Sequence, residues 1–272
     1  MSVEMKRLTM FVNRYMANNV KNMEDSMNKL ASGYKITKAG DDPARLAVSE
    51  KQRTQYYGLR QALENSLHGL SMMEVAEGGL SEIHNMLQRM RLLSVQAASD
   101  TFTSRDRRLI QTEVDSLIEG IDQIASSTIY NGMRVLKDFS AEGSISFHLG
   151  ANKDEIKSFS IDTVSTQELG VKNVSLETRA GSEEAISSIS NAINNLSKTR
   201  ANIGATIHTL EPSLNPIAYS MEKQVESETQ YRDADIAKEM MDFTKNQILL
   251  NSSVNIFSKV NDMRRRIVDL IS

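Results

Sequence analysis

The stretch that decides the fold is residues 186–221, ISSISNAINNLSKTRANIGATIHTLEPSLNPIAYSM. Its apolar residues recur every three or four positions, the period of a helix that buries one face, and only Arg200 interrupts the repeat. Because this spacing is a coiled-coil seam, it predicts a long helix packed on another helix in a left-handed supercoil. Pro212 and Pro216 each lack a backbone N–H, so we expect a kink or break near 208–216.

The same period recurs at both ends of the chain and in its first half. The stretch 16–30 has apolar steps of 4, 3, 4 and 3 residues, which is a heptad seam. A content of only 3 prolines fits long uninterrupted helices, because proline breaks helix interiors. We therefore predict further helices over about 16–30, 44–99, 105–127 and 233–271.

Two of these helices are preceded by capping residues. The segment SGYKITKAGDDP (32–43) breaks the first periodic run, and either Asp41 or Asp42 is placed to cap the next helix, with Pro43 in its first turn. Ser182 is the predicted N-cap of the helix that carries residues 186–221.

The centre of the chain has a different pattern. Residues 144–149 (SISFHL) alternate between apolar and polar side chains, and residues 156–164 (IKSFSIDTV) alternate more weakly. The intervening residues 150–155 (GANKDE) have the composition of a tight loop. The alternation predicts a small β-hairpin near 144–164.

These patterns predict a mainly α fold. Neither end of the chain has enough partners of its own to bury its apolar stripe, so the N-terminal helices should pack on the C-terminal ones. At about 1.5 Å per residue, a helix of about 40 residues is about 60 Å long. We therefore predict an elongated coiled-coil helical rod of paired N- and C-terminal helices with a small central β-hairpin. Terminal seams of this length also favour self-assembly.

The composition argues against several functions. The net charge of −3, from 32 basic and 35 acidic residues, is too balanced to indicate nucleic acid as a partner. The chain has no cysteine and therefore no disulfide or thiolate chemistry. No run of 18 apolar residues predicts a membrane span, and the start MSVEMKRLTM does not resemble a signal peptide. Without zinc, P-loop or nucleophile-elbow motifs, we predict no enzymatic activity, cofactor or metal.

Four blocks of the sequence resemble the signatures of one protein family. They are LASGYKITKAGDDPARLAVSEKQR (30–53), MLQRMRLLSVQAASDT (86–101), IASSTIYNGMRVL (124–136) and YRDADIAKEMMDFTKNQIL (231–249). In this order and spacing they resemble the bacterial flagellins. The string FHLGANKDE (147–155) resembles the core flagellins of spirochaetes, whose filaments lie in the periplasm.

The resemblance implies a structural subunit of the bacterial flagellar filament that serves motility, polymerises through its terminal helices and is exported without a cleaved signal peptide. Residues 1–43 and 233–272 would form the filament-core helices, and residues 44–232 would form the rod domain, with no variable outer domain. The family's usual terminal motifs are replaced here by MSVEMKRLTM (1–10) and SKVNDMRRRIVDLIS (258–272). A minor flagellin or a hook–filament junction protein is therefore the alternative.

The resemblance also implies partners: other copies of the chain, other flagellins, an export chaperone at the C-terminal helix (236–271) and an innate immune receptor. The predicted assembly surface is the apolar seam of the terminal helices: Met16, Val20, Met23, Met27, Leu30, Phe243, Leu250, Val254 and Phe257. The block that resembles the flagellin Q-R-x-R segment implies a receptor or subunit contact, although Leu92 stands where many flagellins have Glu. The residues of that contact are Gln88, Arg89, Leu93 and Glu113.

Overall fold

The computed structural model describes residues 2–138 and 145–271. Its helices are α1 (Ser2–Ser32), α2 (Pro43–Ala97), α3 (Ser104–Ser127), α4 (Arg179–Arg232) and α5 (Ile236–Ile271). Its strands are β1 (Ile129–Tyr130), β2 (Met133–Arg134), β3 (Ile145–His148) and β4 (Ile156–Phe159). The predicted mainly α fold class is confirmed. None of the described helices is long and apolar enough to cross a bilayer.

The chain forms two compact units. The terminal unit contains Met1–Gln55 and Lys223–Ser272, and the central unit contains Tyr56–Glu222. The limits between the units therefore lie inside helices α2 and α4, whereas the sequence-based division at 43 and 233 lies at helix ends.

The core of the central unit is built from α2, α3 and α4, and the connecting segments 135–136 and 161–176 add further buried apolar residues. Each helix turns its apolar stripe inward, so that large side chains with helical spacing lose nearly all of their contact with solvent. Burial of this kind supplies most of the stability of a helical domain. The fully buried residues include Met73, Leu80, Ile83, Leu87 and Met90 of α2, Val114 and Ile121 of α3, and Ile189 and Leu196 of α4.

In the terminal unit, α1 runs antiparallel to α5, as the prediction of paired terminal helices requires. Cα atoms of the two helices lie within 8 Å of each other at many points, more than in any other pair of helices in the described residues. Lys29 near the end of α1 forms an ion pair with Glu239 near the start of α5, with Nζ and Oε1 3.3 Å apart.

The predicted central hairpin is confirmed by the antiparallel pair β3–β4. Ile145 lies opposite Phe159, and Phe147 opposite Lys157. The first residue of the predicted element, at 144, lies outside the described residues. The second strand ends at Phe159, earlier than predicted.

A second, smaller hairpin formed by β1 and β2 was not predicted. Asn131 and Gly132 link the strands with positive φ angles of 48° and 80°. This is the conformation of a two-residue type I′ turn, for which Asn-Gly is the preferred sequence. The dipeptide was visible in the sequence, but each flanking strand has only two residues, too few to alternate.

Helix α4 continues through Pro212 and Pro216, so the break that was one of the two predicted outcomes near 208–216, a kink or a break, is wrong. Both prolines are exposed, which leaves the carbonyl groups that lose their helical N–H partners close to solvent. On the opposite side, Leu210 and Ile217 are buried and hold this segment of α4 against the protein.

The observed helix cap matches the sequence-based prediction at α2 and differs from it at α4. Asp42 caps α2, because its Oδ1 accepts the N–H of Arg45 at 3.0 Å, and Pro43 is the first helical residue. The prediction of Ser182 as an N-cap is wrong. Ser182 is buried inside the first turn of α4, and Thr178 accepts the N–H of Gly181 through its Oγ1 at 3.1 Å instead.

Candidate assembly surface

The contact face between α1 and α5 has a continuous heptad spacing, in which large apolar residues alternate with small polar ones. We call this face the α1–α5 seam. Asn19, Ser26 and Asn246 are buried in it, while the large residues between them are half-buried. The seam consists of Val12, Met16, Asn19, Met23, Ser26 and Leu30 of α1, and Phe243, Asn246, Leu250, Ser253, Phe257 and Val260 of α5.

The small polar residues explain the close approach of the two helices. In an antiparallel pair, the register set by Lys29 and Glu239 brings the small positions of each helix against the large positions of the other. Two helices can enclose a small side chain completely but leave a large one partly open to solvent. Isolated polar residues in a seam specify register and cost stability, so the pair is weakly held for its length.

The structure divides the predicted assembly residues into two groups. Met16, Met23, Leu30, Phe243, Leu250 and Phe257 are half-buried in the α1–α5 seam. Val20, Met27 and Val254 are 41%, 53% and 46% exposed and lie beside it, because the neighbouring polar residues Asn19, Ser26 and Ser253 occupy the seam positions.

Both terminal helices carry many more exposed apolar side chains. On α1, the rings of Phe11 and Tyr15 lie against each other with centroids 4.6 Å apart, and both are more than half exposed. On α5, a shallow recess of about 410 Å³ is lined by residues that include Met241 and Ile248. Large apolar patches of this kind mark interaction surfaces. The exposed residues are Leu8, Met10, Phe11, Tyr15, Val20 and Met27 of α1, and Ile236, Met240, Met241, Ile248, Leu249, Val254, Ile256 and Met263 of α5.

The turns at the inner ends of α1 and α5 are joined by backbone hydrogen bonds. Lys35 donates its N–H to the carbonyl of Arg232 at 2.7 Å, and Ala234 donates to Gly33 at 3.0 Å. Between them, Tyr34 pairs with Asp233 as an antiparallel β-bridge. Both segments lie in blocks that resemble the family signature, but the sequence assigned no role to their contact.

Asp41 organises the turn that leads into α2. The backbone N–H groups of Lys38 and Thr37 donate to its Oδ2 at 2.9 and 3.0 Å, and these hydrogen bonds hold the pKa of the Asp41 carboxyl below its ordinary value. The negative charge is therefore part of the folded turn.

The predicted receptor or subunit contact is only partly at the surface. Arg89 and Glu113 form an exposed ion pair that joins α2 to α3, with Nη2 and Oε1 2.6 Å apart. The exposed side chain of Gln88 lies 2.8 Å from Nε2 of His84. Leu93 was predicted to take part in this contact. Its side chain is only 3% exposed and belongs to the core, so it does not lie on the surface of the folded protein.

The described residues contain no group of three or more His, Cys, Asp or Glu that could hold a metal ion. A recess of about 460 Å³ in the central unit is lined by Asp162, Glu168 and Lys198, among others, and no histidine is among its lining residues. The terminal helices therefore offer the clearest candidate for a functional surface.

Known proteins resemble this chain along nearly its whole length. The family described as the bacterial flagellin N-terminal helical region matches residues 4–141, and the bacterial flagellin C-terminal helical region matches residues 186–271. The flagellar filament 33 kDa core protein of Treponema phagedenis is 38% identical over 276 residues, covering 96% of each chain. Flagellin FlaB1 of Treponema pallidum is 36% identical with the same coverage.

A solved flagellin structure is also similar to this chain. The crystal structure of Bacillus cereus flagellin matches with a TM-score of 0.50 and 27% identity, covering 57% of this chain and 88% of that one. The chain therefore belongs to the bacterial flagellins and is similar to the core flagellins of spirochaetes.

Proposed function

We propose that the protein is a structural subunit of the bacterial flagellar filament, serving motility, and that it polymerises through the outer faces of α1 and α5. The observation that carries this proposal is the series of exposed apolar side chains on these two helices. A subunit that presents such faces to other copies through unlike surfaces builds an open helical polymer. The half-buried residues of the α1–α5 seam would then be covered fully in the filament.

A main filament subunit is better supported than a junction protein or a minor flagellin. One of the relatives named above is a flagellar filament core protein, and its similarity to this chain extends over 96% of both chains. In isolated filaments, a main subunit would account for most of the protein mass. A few copies per filament would favour the minor or junction role.

The roles of the terminal and central segments in the filament are also a proposal. The terminal segments 1–43 and 233–272 would line the filament core, and the central residues 44–232 would form the surrounding rod. The compact terminal unit, which extends to Gln55 and starts again at Lys223, supports a boundary near these limits. The filament would lie in the periplasm if the cell is of the spirochaete type, reached by export without a cleaved signal peptide.

Further partners follow from the same surfaces. Helix α5 would lie in the groove of an export chaperone through its outer apolar face, a common mode of helix recognition. Other flagellins would enter the same polymer. An innate immune receptor would contact the exposed Gln88, Arg89 and Glu113. Loss of receptor signalling in Arg89→Ala would support that contact, and full signalling would exclude a direct role for Arg89.

The test of polymerisation uses two neighbouring substitutions on α5. Ile248→Glu places a charge on an apolar side chain that is 60% exposed, and Gln247→Glu adds the same charge at an exposed polar neighbour. We expect both variants to fold as the wild type by circular dichroism, while only Ile248→Glu fails to form seeded filaments in light scattering and electron microscopy. Normal filaments from Ile248→Glu would contradict the proposed surface.

A further inference from the structure

The methionines of this chain differ in exposure between the two units. Most of the 15 methionines lie in the terminal unit, where Met240 and Met241 of α5 are 49% and 66% exposed. Met73 and Met90 of α2, in the central unit, are fully buried in the hydrophobic core. The terminal unit therefore presents thioether sulfur to the solvent, whereas the core of the central unit encloses it.

Met240 and Met241 line the shallow recess of about 410 Å³ on α5, together with Thr244, Lys245 and Ile248. Every residue that lines the recess belongs to α5, so the exposure of the two thioethers does not depend on another helix. Removal of a neighbouring helix could only increase it. The methionine pair is therefore accessible in the free subunit whether or not α5 is packed on α1.

An exposed thioether is a target for hydroperoxides. The chain has no cysteine, so methionine sulfur is its most readily oxidised group. The sulfur attacks one oxygen of hydrogen peroxide, the O–O bond breaks, an S–O bond forms and water leaves. Sulfur loses two electrons and the peroxide gains them. The product is a sulfoxide, which turns a flexible apolar side chain into a polar one.

The position of the pair gives this reaction a consequence. Met241 and Ile248 are seven residues apart, which places both side chains on one face of α5, two turns from each other. Ile248 belongs to the apolar surface through which we propose that the subunit polymerises. Oxidation of Met241 would place an S–O dipole in this surface, and burial of a polar group without a hydrogen-bond partner is costly.

We propose that Met240 and Met241 form an oxidation site, at which a hydroperoxide produces sulfoxides in the free subunit and thereby excludes the oxidised subunit from the growing filament. This inference rests on the proposed function, because that function places both methionines in a surface that neighbouring copies cover. The same cover would shield the two sulfur atoms in assembled subunits. The modification is reversible, since methionine sulfoxide reductases restore the thioether.

Peptide mapping of the free wild-type chain tests the oxidation site without filaments. Brief treatment with hydrogen peroxide, followed by proteolysis and mass spectrometry, gives the sulfoxide fraction at each methionine. We expect Met240 and Met241 to oxidise several-fold faster than the buried Met73 and Met90. Equal rates at the four positions would overturn the assignment of the site.

A competition experiment tests the exclusion of oxidised subunits. Partially oxidised wild-type subunit is elongated from filament seeds, and the filaments and the supernatant are mapped separately. We expect sulfoxide at Met240 and Met241 to be depleted roughly tenfold in the filaments, the effect of burying an unpartnered polar group. Met133 is the matched control, because it is 40% exposed on β2 of the central unit, and its sulfoxide should be shared equally. An equal distribution at Met240 and Met241 would overturn the exclusion.

The double variant Met240→Leu, Met241→Leu removes both sulfur atoms and keeps the apolar character and approximate volume. It should elongate as the wild type does before treatment and continue after a peroxide dose that stops the wild type. A loss of elongation as complete as in the wild type would overturn the proposal. Met241→Leu alone, at the more exposed position, should give partial protection and replaces the double variant if that variant does not elongate untreated. If the untreated wild type forms no filaments, the proposed function fails, while the peptide map still decides the oxidation site.

Discussion

The terminal and central units have the same helical period and very different interiors. In the central unit, Leu80, Leu87 and Ile189 are completely buried. Among the described residues of the terminal unit, the buried apolar side chains are Val12, Ile36 and Val260, while many large ones remain exposed. Three packed helices can surround a large side chain completely, whereas two leave it partly open to solvent. This contrast supports the proposed assembly surface on the terminal helices.

The largest expected effect comes from making the same substitution in both units. Leu87→Ala removes a fully buried side chain and should lower the free energy of unfolding by about 2–5 kcal/mol. Leu250→Ala removes a half-buried one and should cost about 1 kcal/mol in the free subunit. Urea denaturation with hydrogen exchange assigned to each unit would measure both. Equal costs would contradict the contrast between the units.

The next test addresses the close approach of α1 and α5. Ser26→Leu inserts a large side chain at a buried position of the α1–α5 seam and should destabilise the pair by about 1–3 kcal/mol. Ser26→Ala fits the same space and should be nearly neutral. Protease digestion of the terminal helices in the free subunit would separate the variants. Greater protection in Ser26→Leu would mean that the helices have room to separate.

In the central unit, two adjacent glycines of α2 should respond in opposite directions. A Cβ at Gly79 would lie 2.6 Å from Oγ1 of Thr128 and 3.0 Å from Cδ1 of Leu136, so Gly79→Ala should lower stability by about 1 kcal/mol. A Cβ at Gly78 meets nothing within 4 Å, and Gly78→Ala should raise stability by about 0.5–1 kcal/mol. Thermal midpoints of the two variants provide the comparison, and shifts of the same sign would refute it.

The smallest effect is a pH dependence that both units share. Asp41 in the terminal unit and Asp106 in the central unit accept hydrogen bonds as carboxylates, and these bonds hold the pKa of each group below its ordinary value. Their contribution to stability is therefore complete above the ordinary pKa of 3.8 and is lost as the pH falls through the lowered value.

We expect Asp41→Asn and Asp106→Asn to be destabilised relative to the wild type at pH 6 and to approach it at pH 3. Thermal midpoints measured by circular dichroism across this interval would show the convergence, with Asp25→Asn at an exposed site of α1 as the control. A difference that persists unchanged at pH 3 would show that the charge of the carboxylate is not what stabilises the turn.

Local patterns predicted the helices and the larger hairpin well. The periodic run at 105–127 corresponds to α3 at Ser104–Ser127, and the alternation around Phe147 and Phe159 corresponds to β3 and β4. These patterns succeed because the period depends on which neighbours along the chain share one face. The break at Pro212 and Pro216 was overestimated, since a proline costs less where the freed carbonyl faces solvent.

The candidate surface was less predictable. Apolar character selected Val20 and Met27 for the seam, but their neighbours Asn19 and Ser26 occupy it because only small side chains allow the close approach to α5. The contacts of Arg232 with Tyr34 and Glu50 were not predicted from the sequence either. Glu50 and Arg232 are 182 positions apart, and no local period links them.

The sequence by itself determined the helical period of the long segments, the two candidate caps of α2 and which family the chain resembles, because each depends on short-range spacing. The tertiary structure decided which face of each helix is covered, and that depends on how many helices surround it. The same helical period therefore produces a closed core in the central unit and an open surface in the terminal unit. The burial of a side chain depends on the neighbours that surround it in space.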